Sequence, residues 1–351
     1  MTEVRLNAVQ KRFGAFTAIE SIDLDIKSGE LVALLGPSGC GKTTTLRMIA
    51  GLEAPTSGEV LFDGKDVSDV AVQKRNVGMV FQRYALFPHM TVEKNVTFGL
   101  DVRGLPKQEI NERLEEILDV VQLNQFRKRF PAQLSGGQMQ RVAIARTLIT
   151  KPSVLMMDEP LANLDTKLRG EMRRFIRELQ KRLGITTIFV THDQVEAMEL
   201  ADRVAVIFNG KLAQFGAPQE LYQQPNSTEV ADFMGASNIF SARLLAADRA
   251  EASFGIIEIT PQAGLTTGAD VHVMLRSEGI DLYPQAEAPQ GTQNLISGQI
   301  KAREFFGASV QYVVSAGGAD ITVAEQSRRL LDVGQPVILS VQPDRVWTIA
   351  R

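Results

Sequence analysis

The sequence predicts an α/β domain built on a largely parallel sheet, followed by a smaller domain made of β-strands alone. Three continuous apolar runs, at residues 31–35, 154–157 and 188–190, are typical of strands covered on both faces. Helical periodicity between the second and third runs favours strand–helix–strand crossovers. Beyond residue 236 this periodicity gives way to short β-like runs between glycine turns.

These patterns divide the chain into two predicted domains. Residues 1–235 form the α/β domain, and residues 236–351 form a small OB-like β-barrel. Within the first domain we expect a helical subdomain at about residues 88–150, because apolar side chains such as Ile110 and Leu114 recur on one helical face.

The composition argues against several functional classes. The 351 residues carry a net charge of −3, so the overall charge gives no indication of a nucleic-acid partner. A single cysteine, Cys40, excludes an internal disulfide framework, and three histidines without a CxxC pair make a zinc site a poor prediction. We expect neither a signal peptide nor a membrane span, because the sequence lacks a stretch of about 20 mostly apolar residues.

A glycine-rich loop after the first apolar run fits the pattern GxxxxGK[ST] and predicts a P-loop NTPase. Glycines let backbone N–H groups point at phosphate oxygens, while the next helix presents its positive end. Lys42 is expected to reach the β- and γ-phosphates of ATP, and the Thr43 hydroxyl to bind Mg²⁺. A catalytic role for the Cys40 thiol is rejected, because phosphate binding already explains the loop. The predicted nucleotide-binding residues here are Gly36, Pro37, Ser38, Gly39, Cys40, Gly41, Lys42, Thr43 and Thr44.

Two adjacent carboxylates, Asp158 and Glu159, follow the second apolar run. They lie at the carboxyl end of a predicted buried strand, which is where open α/β sheets bind ligands. Asp158 is expected to hold Mg²⁺ through water, and Glu159 to orient and deprotonate the attacking water. The alternative is an acidic turn that is simply solvated.

A second glycine-containing helix start follows at residues 134–138, with the sequence LSGGQ. A helix beginning there would offer another anion-binding site, which one nucleotide in one chain does not obviously need. The sequence here resembles the ATPase family of ABC transporters. The resemblance implies that two subunits pair head to tail, each covering the nucleotide held by the other. The residues that carry this expectation are Ser135, Gly136, Gly137 and Gln138.

The family's remaining motifs match in order along the chain. Phe13 stands where the family stacks an aromatic ring on adenine. Gln82 resembles the glutamine that links Mg²⁺ and water to the membrane subunit, and His192 resembles the histidine that contacts the γ-phosphate. Asp165 matches the loop that crosses the dimer interface, although Ala162 in that loop replaces a common serine. For Phe13 the alternative is ordinary core packing.

The segment after Gln82 resembles the importer branch that works with an external solute-binding protein. In that branch two integral membrane permease subunits would each dock a coupling helix in a groove near Tyr84, Leu86 and Phe87. Burial in the core is the alternative for each of these three side chains. The resemblance further implies a TOBE-like C-terminal domain for dimerisation or regulation, and a peripheral position on the cytoplasmic face of the inner membrane.

The C-terminal segments at 233–238 and 305–307 are closer to importers of the polyamine type than to those of the sugar type, so spermidine or putrescine is the first expectation for the cargo. Sugar, opine, aminophosphonate and iron(III) importers are the alternatives. A more distant alternative is an ABC ATPase that acts on nucleic acid. That class predicts a long coiled coil, a zinc insertion or a basic face, and the sequence shows none of these.

Overall fold

The computed structural model describes residues 2–262, 264–289 and 294–351. These residues form two compact units that divide between Pro218 and Gln219.

A mixed β-sheet forms the centre of the first unit. Its described strands are β1 (Val4–Phe13), β2 (Phe16–Ile26), β3 (Leu31–Leu35), β4 (Ser57–Phe62), β5 (Lys65–Asp66), β6 (Val77–Val80), β7 (Val154–Asp158), β8 (Thr186–Thr191), β9 (Arg203–Phe208) and β10 (Lys211–Gly216).

The sheet has the order β5-β4-β1-β2-β10-β9-β3-β8-β7-β6. The neighbours from β9 through β3, β8 and β7 to β6 are parallel, whereas β1 pairs antiparallel with β2 and β4. All residues of β3, β7 and β8 are buried, which explains their continuous apolar runs. The predicted α/β architecture is therefore confirmed.

Helices connect these strands as the periodicity predicts. Ile110, Leu114 and Ile117 are buried on one face of the helix that begins after Pro106. Gly184, with φ of 63°, ends the long helix before β8. In the part of the chain that the structure describes, no helix is both long and apolar enough to cross a bilayer. The helices are α1 (Lys42–Ala50), α2 (Val92–Val102), α3 (Lys107–Val120), α4 (Gly136–Leu148), α5 (Thr166–Leu183) and α6 (Gln194–Leu200).

The second unit is mostly β-structure. It begins with two short helices, and its strands are all antiparallel to their described neighbours. The elements are α7 (Pro218–Gln223), α8 (Thr228–Phe233), β11 (Asn238–Ala246), β12 (Arg249–Ala252), β13 (Gly255–Glu258), β14 (Asp270–Leu275), β15 (Ile280–Pro284), β16 (Leu295–Phe305), β17 (Ser309–Ala316), β18 (Ala319–Gln326), β19 (Pro336–Val341) and β20 (Val346–Ala350).

Two sheets enclose one core in this unit. Their strand orders, for the described residues, are β13-β12-β11-β14-β20 and β15-β19-β16-β17-β18. Side chains of both sheets, such as Val273 and Tyr312, belong to a single buried cluster. The fully buried Asn238 joins the two sheets, because its amide donates to the carbonyl oxygens of Leu275 and Thr322 at 3.1 and 2.8 Å. This is the OB-like all-β fold expected from the strand pattern.

The second unit starts before the change of sequence pattern at residue 236. Ala231 in α8 packs with Met274 and Ile349 of the sheet. The indole N–H of Trp347 donates to the carbonyl of Pro225 at 2.9 Å. The strand pattern marks where β-structure begins, whereas packing brings two preceding helices into the same compact unit. The division into functional domains at residue 235 remains a prediction.

Candidate nucleotide-binding site

The phosphate loop lies at the carboxyl end of β3 and leads into α1. A Cβ atom on Gly36 would collide with the carbonyl oxygen of Ile207, so only glycine fits there. Gly41 has φ of 110°, and a Cβ there would collide with the side chain of Ile19. These close approaches give the loop its tight curvature, and the first helical residue is Lys42.

The Lys42 ammonium lies inside the loop. It is 5% exposed and donates to the carbonyl oxygens of Gly36 and Pro37 at 2.7 and 2.9 Å. The buried Cys40 thiol lies 3.8 Å from the same ammonium nitrogen. The loop therefore surrounds a cation at the positive end of α1, an arrangement that favours a phosphate ligand.

Two of the three predicted Mg²⁺ ligands, Thr43 and Asp158, are in contact, whereas the third, Gln82, contacts Glu159. The Thr43 hydroxyl donates to Asp158 Oδ1 at 3.0 Å, across the space between α1 and β7. Burial raises the pKa of Asp158 and the neighbouring Glu159 charge adds to this, while the hydrogen bond from Thr43 opposes it. Hydroxyl and carboxylate oxygens are the ligands that Mg²⁺ prefers. Asp158 is only 9% exposed, so this acid pair is not a freely solvated turn.

Three predicted catalytic side chains meet at Glu159. One carboxylate oxygen accepts a hydrogen bond from Gln82 Nε2 at 3.0 Å, and the other lies 3.3 Å from His192 Nδ1. Glu159 also has φ of 45°, a backbone conformation that is uncommon outside glycine and is found at functional sites. The sheet thus brings an acid, an amide and an imidazole from three separate segments into contact.

An aromatic pair borders the phosphate loop. Phe13 and Phe16 are exposed and stand on either side of the β1–β2 turn. Both line a cavity of about 260 Å³ that also includes Ser38, Gly39, Gly41, Lys42, Thr43, Thr44 and Glu159. The Lys11 ammonium lies 4.8 Å from the centre of the Phe13 ring. Exposure of both rings disagrees with the core-packing alternative for Phe13. The sequence analysis missed Phe16, although an aromatic residue on each side of Gly14 was a usable signal.

The LSGGQ segment lines a different cavity. The Ser135 hydroxyl caps α4 by accepting the Gln138 N–H at 3.3 Å, and Gln138 Oε1 accepts the Ser135 N–H at 3.0 Å. Ser135, Gly137 and Gln138 line a cavity of about 290 Å³. Among the described residues, no side chain lines both this cavity and that of the phosphate loop. Within one chain the two helix starts therefore line separate cavities.

The loop after Glu159 makes two internal contacts. Asp165 caps α5 by accepting the N–H of Leu168 at 3.0 Å. Asn163 donates to the backbone carbonyl of Gln82 at 2.8 Å and so fixes the strand end that carries this glutamine. The sequence analysis missed Asn163, because a hydrogen bond between loops 81 residues apart leaves no local signal.

The segment around Phe87 is held by two side chains that the sequence analysis also missed. The fully buried Asn95 accepts the Phe87 N–H at 2.8 Å and donates to the Phe87 carbonyl at 3.1 Å. Arg146 donates to the carbonyls of Ala85 and Tyr84 at 2.7 and 3.0 Å. The three side chains of the predicted docking groove, Tyr84, Leu86 and Phe87, are each half-buried. Half-burial agrees with a groove that presents part of each side chain as well as with packing at the edge of the core.

Comparison with known proteins identifies the class. Residues 19–162 match the family model of ABC transporters, and residues 273–349 match that of TOBE domains. One similar structure is CbiO1 of Clostridium perfringens, part of an ABC transporter complex. It has a TM-score of 0.59 and 34% identity, and the match covers 62% of this chain and 89% of that one. Another is a dimeric ATP-binding cassette in a post-hydrolysis state with ADP and phosphate. Its TM-score is 0.54 at 34% identity, covering 61% and 98% of the two chains.

This chain belongs to the ATP-binding proteins of ABC transporters, which bind ATP with Mg²⁺ and couple its hydrolysis to transport. Similar curated proteins are named Fe(3+) ions import ATP-binding proteins. That of Rhizobium meliloti is 47% identical over 90% of this chain and 88% of its own length. Those of Pectobacterium atrosepticum and Brucella abortus are 50% and 45% identical, covering 82% and 89% of this chain and 81% and 87% of their own lengths.

The aromatic pair gives a prediction about nucleotide affinity. Stacking of a base on an aromatic ring contributes about 1–3 kcal/mol, so we expect Phe13→Ala and Phe16→Ala each to weaken ATP binding about 5- to 150-fold. Titration with a fluorescent ATP analogue would measure this. The exposed Phe130 lines neither cavity, and Phe130→Ala is the control. Unchanged affinity in Phe16→Ala would show that this ring does not contact the base.

Proposed function

We propose that this protein is the ATP-hydrolysing subunit of an iron(III) importer. The observation that carries the cargo is similarity along most of the chain, at 45–50% identity, to proteins named for iron(III) import. The C-terminal segments predict a polyamine cargo, and the relatives support the iron(III) alternative instead. The nucleic-acid alternative gains no support from these relatives, which are all named for import.

The polyamine prediction and the iron(III) named in the relatives differ for a physical reason. The polyamine expectation came from short segments of the C-terminal domain, at residues 233–238 and 305–307. In a transporter of this kind the solute contacts the binding protein and the membrane subunits, whereas the ATP-binding subunit contacts nucleotide. Short motifs in this subunit therefore carry little information about the solute.

The proposed chemistry is attack of water on the γ-phosphorus of ATP. Glu159 accepts the water's proton as the new P–O bond forms, while the bond from the γ-phosphorus to the β,γ-bridging oxygen breaks and ADP leaves. Thr43, Asp158 and Gln82 would hold Mg²⁺, which would supply positive charge beside the phosphates. Lys42 and His192 stabilise the γ-phosphate. Two contacts support these roles, because they keep the Glu159 carboxylate beside the Gln82 amide and the His192 imidazole.

The proposed functional unit is a dimer of this chain. Each chain supplies its phosphate loop to one ATP and its Ser135–Gly137 helix start to the ATP of its twin, and Asp165 lies where the two chains meet. The separation of the two cavities in one chain supports this arrangement. Nucleotide closes the pair only through a difference in affinity between the open and closed states. Shifting the population from 1:99 to 99:1 requires about 5.5 kcal/mol.

The other partners follow from the importer assignment. Two integral permease subunits would dock a coupling helix at Tyr84, Leu86 and Phe87, with an extracytoplasmic solute-binding protein acting on them from the other side. Asn95 and Arg146 support this docking, since they fix the backbone that presents these side chains. Residues 236–351 would serve dimerisation or regulation. The protein would then lie peripherally on the cytoplasmic face of the inner membrane.

The role of Glu159 can be tested by Glu159→Gln. Losing general-base help costs about 10²–10⁴-fold in rate, so kcat should fall by that factor while ATP affinity stays within about twofold. Steady-state phosphate release and nucleotide titration measure the two quantities. Glu178→Gln, an exposed substitution of the same type on α5, should leave both unchanged. Normal turnover in Glu159→Gln would contradict the assignment of the base.

The cargo can be tested in the complete transporter. The ATPase rate would be measured in lipid discs with the transporter's own solute-binding protein, either empty, loaded with ferric iron or offered spermidine. We expect only the iron-loaded protein to raise the rate. Stimulation by spermidine with no response to iron would restore the polyamine expectation and overturn the iron proposal.

A further inference from the structure

The turn that carries His192 is anchored by a buried carboxylate that the mechanism above does not use. Thr191 ends β8 and is 2% exposed, and Glu196 in α6 is 4% exposed. The Thr191 hydroxyl donates to Glu196 Oε2 at 2.6 Å. His192, by contrast, has a largely exposed side chain, and its ring lies 3.3 Å from the Glu159 carboxylate.

Further hydrogen bonds close the turn. The same Thr191 hydroxyl accepts the Asp193 N–H at 3.0 Å. The Asp193 carboxylate in turn accepts the N–H groups of Val195 and Glu196 at 2.8 and 3.2 Å. Thr191 and Asp193, on either side of His192, therefore belong to one ring of hydrogen bonds. The buried Glu196 carboxylate is also part of this ring.

This ring borders the catalytic carboxylate. Glu159, His192, Thr191 and Glu196 line a common cavity of about 40 Å³, together with Ala162, Arg169 and Asp193. A polar cavity of this size can hold a water molecule. Arg169 also donates to the carbonyl of Leu164 at 3.0 Å, which connects the cavity wall to the loop after Glu159.

The contact with Thr191 does not depend on the charge of Glu196. Burial raises the pKa of Glu196, and the nearby Asp193 charge adds to this, while Thr191, Arg169 and Arg173 oppose it. A protonated carboxyl still has a carbonyl oxygen that accepts the hydroxyl hydrogen. The amide of glutamine offers the same acceptor, so Gln is a conservative replacement here.

We propose that Glu196 is a positioning residue for ATP hydrolysis, which holds His192 against Glu159 through the Thr191 hydroxyl. This rests on the proposed roles of Glu159 and His192. Glu196 lies behind the turn, so it would act on the alignment of the imidazole without contacting nucleotide. Its removal should slow the chemical step and leave ATP binding alone.

The test compares paired variants of the full chain. A misplacement of about 1 Å can cost up to 10²-fold, so Glu196→Ala and Thr191→Val should each lower kcat about 10- to 100-fold with KM for ATP within about twofold. Glu196→Gln and Thr191→Ser keep the hydrogen bond and should retain most of the activity. Glu199→Ala, on the same helix and paired with Arg173 at 2.6 Å, is the control and should leave kcat unchanged.

A second arm separates positioning from general destabilisation. In a His192→Ala background, Glu196→Ala should lower kcat by less than about twofold further, because the group it positions is gone. A full additional loss there, a rise in KM with unchanged kcat, or failure of Glu196→Gln and Thr191→Ser to retain activity would each overturn the proposal. Should Glu196→Ala not fold, the Thr191 pair still decides. Failure of the proposed function is visible separately, as normal turnover in Glu159→Gln.

Discussion

The position of β8 between β3 and β7 is the constraint on which the rest of the site depends. In this parallel pairing Thr191 lies opposite Leu35, and Val190 lies opposite Asp158. The Glu159 N–H donates to the carbonyl of Val190 at 3.0 Å, which continues the ladder into the catalytic loop. Because three parallel strands end at one level, the phosphate loop, the acid pair and His192 emerge side by side. Backbone register thus places the phosphate loop beside groups that lie more than a hundred residues further along the chain.

The proposed division of the site between two chains agrees with the place of LSGGQ in the fold. LSGGQ lies at the start of α4, in the helical segment between β6 and β7. These are the last two strands at one edge of the sheet. The serine cap of LSGGQ therefore faces a cavity of its own. A second chain, turned head to tail, would bring such a cap to the exposed γ-phosphate side of the first. The account of ATP-driven closure rests on this exchange of half-sites between chains.

Local pattern was enough to predict much of the site, and non-local contact was not predictable. Lys42, Thr43 and Asp158 were found because the phosphate loop and the buried strand leave continuous signals. Asn163 leaves no such signal, because its hydrogen bond to Gln82 joins segments 81 residues apart. The hydrogen bond between Thr191 and Glu196 is local, but it depends on the turn that joins β8 to α6. The all-β unit was predicted from its short strands, whereas α8 joins it through packing of Ala231 with Ile349. The C-terminal segments at residues 233–238 and 305–307 predicted a different cargo from the one for which the relatives are named.

The most direct test of the two-chain site is the nucleotide dependence of association, measured by sedimentation with Mg²⁺ and ATP. In Glu159→Gln, which holds ATP unhydrolysed, the account predicts that nucleotide lowers the dissociation constant of the dimer by at least about tenfold. Adding Ser135→Arg should remove this effect while each chain still binds ATP with the affinity of Glu159→Gln. No nucleotide effect in Glu159→Gln, or an undiminished one in the double variant, would contradict the account.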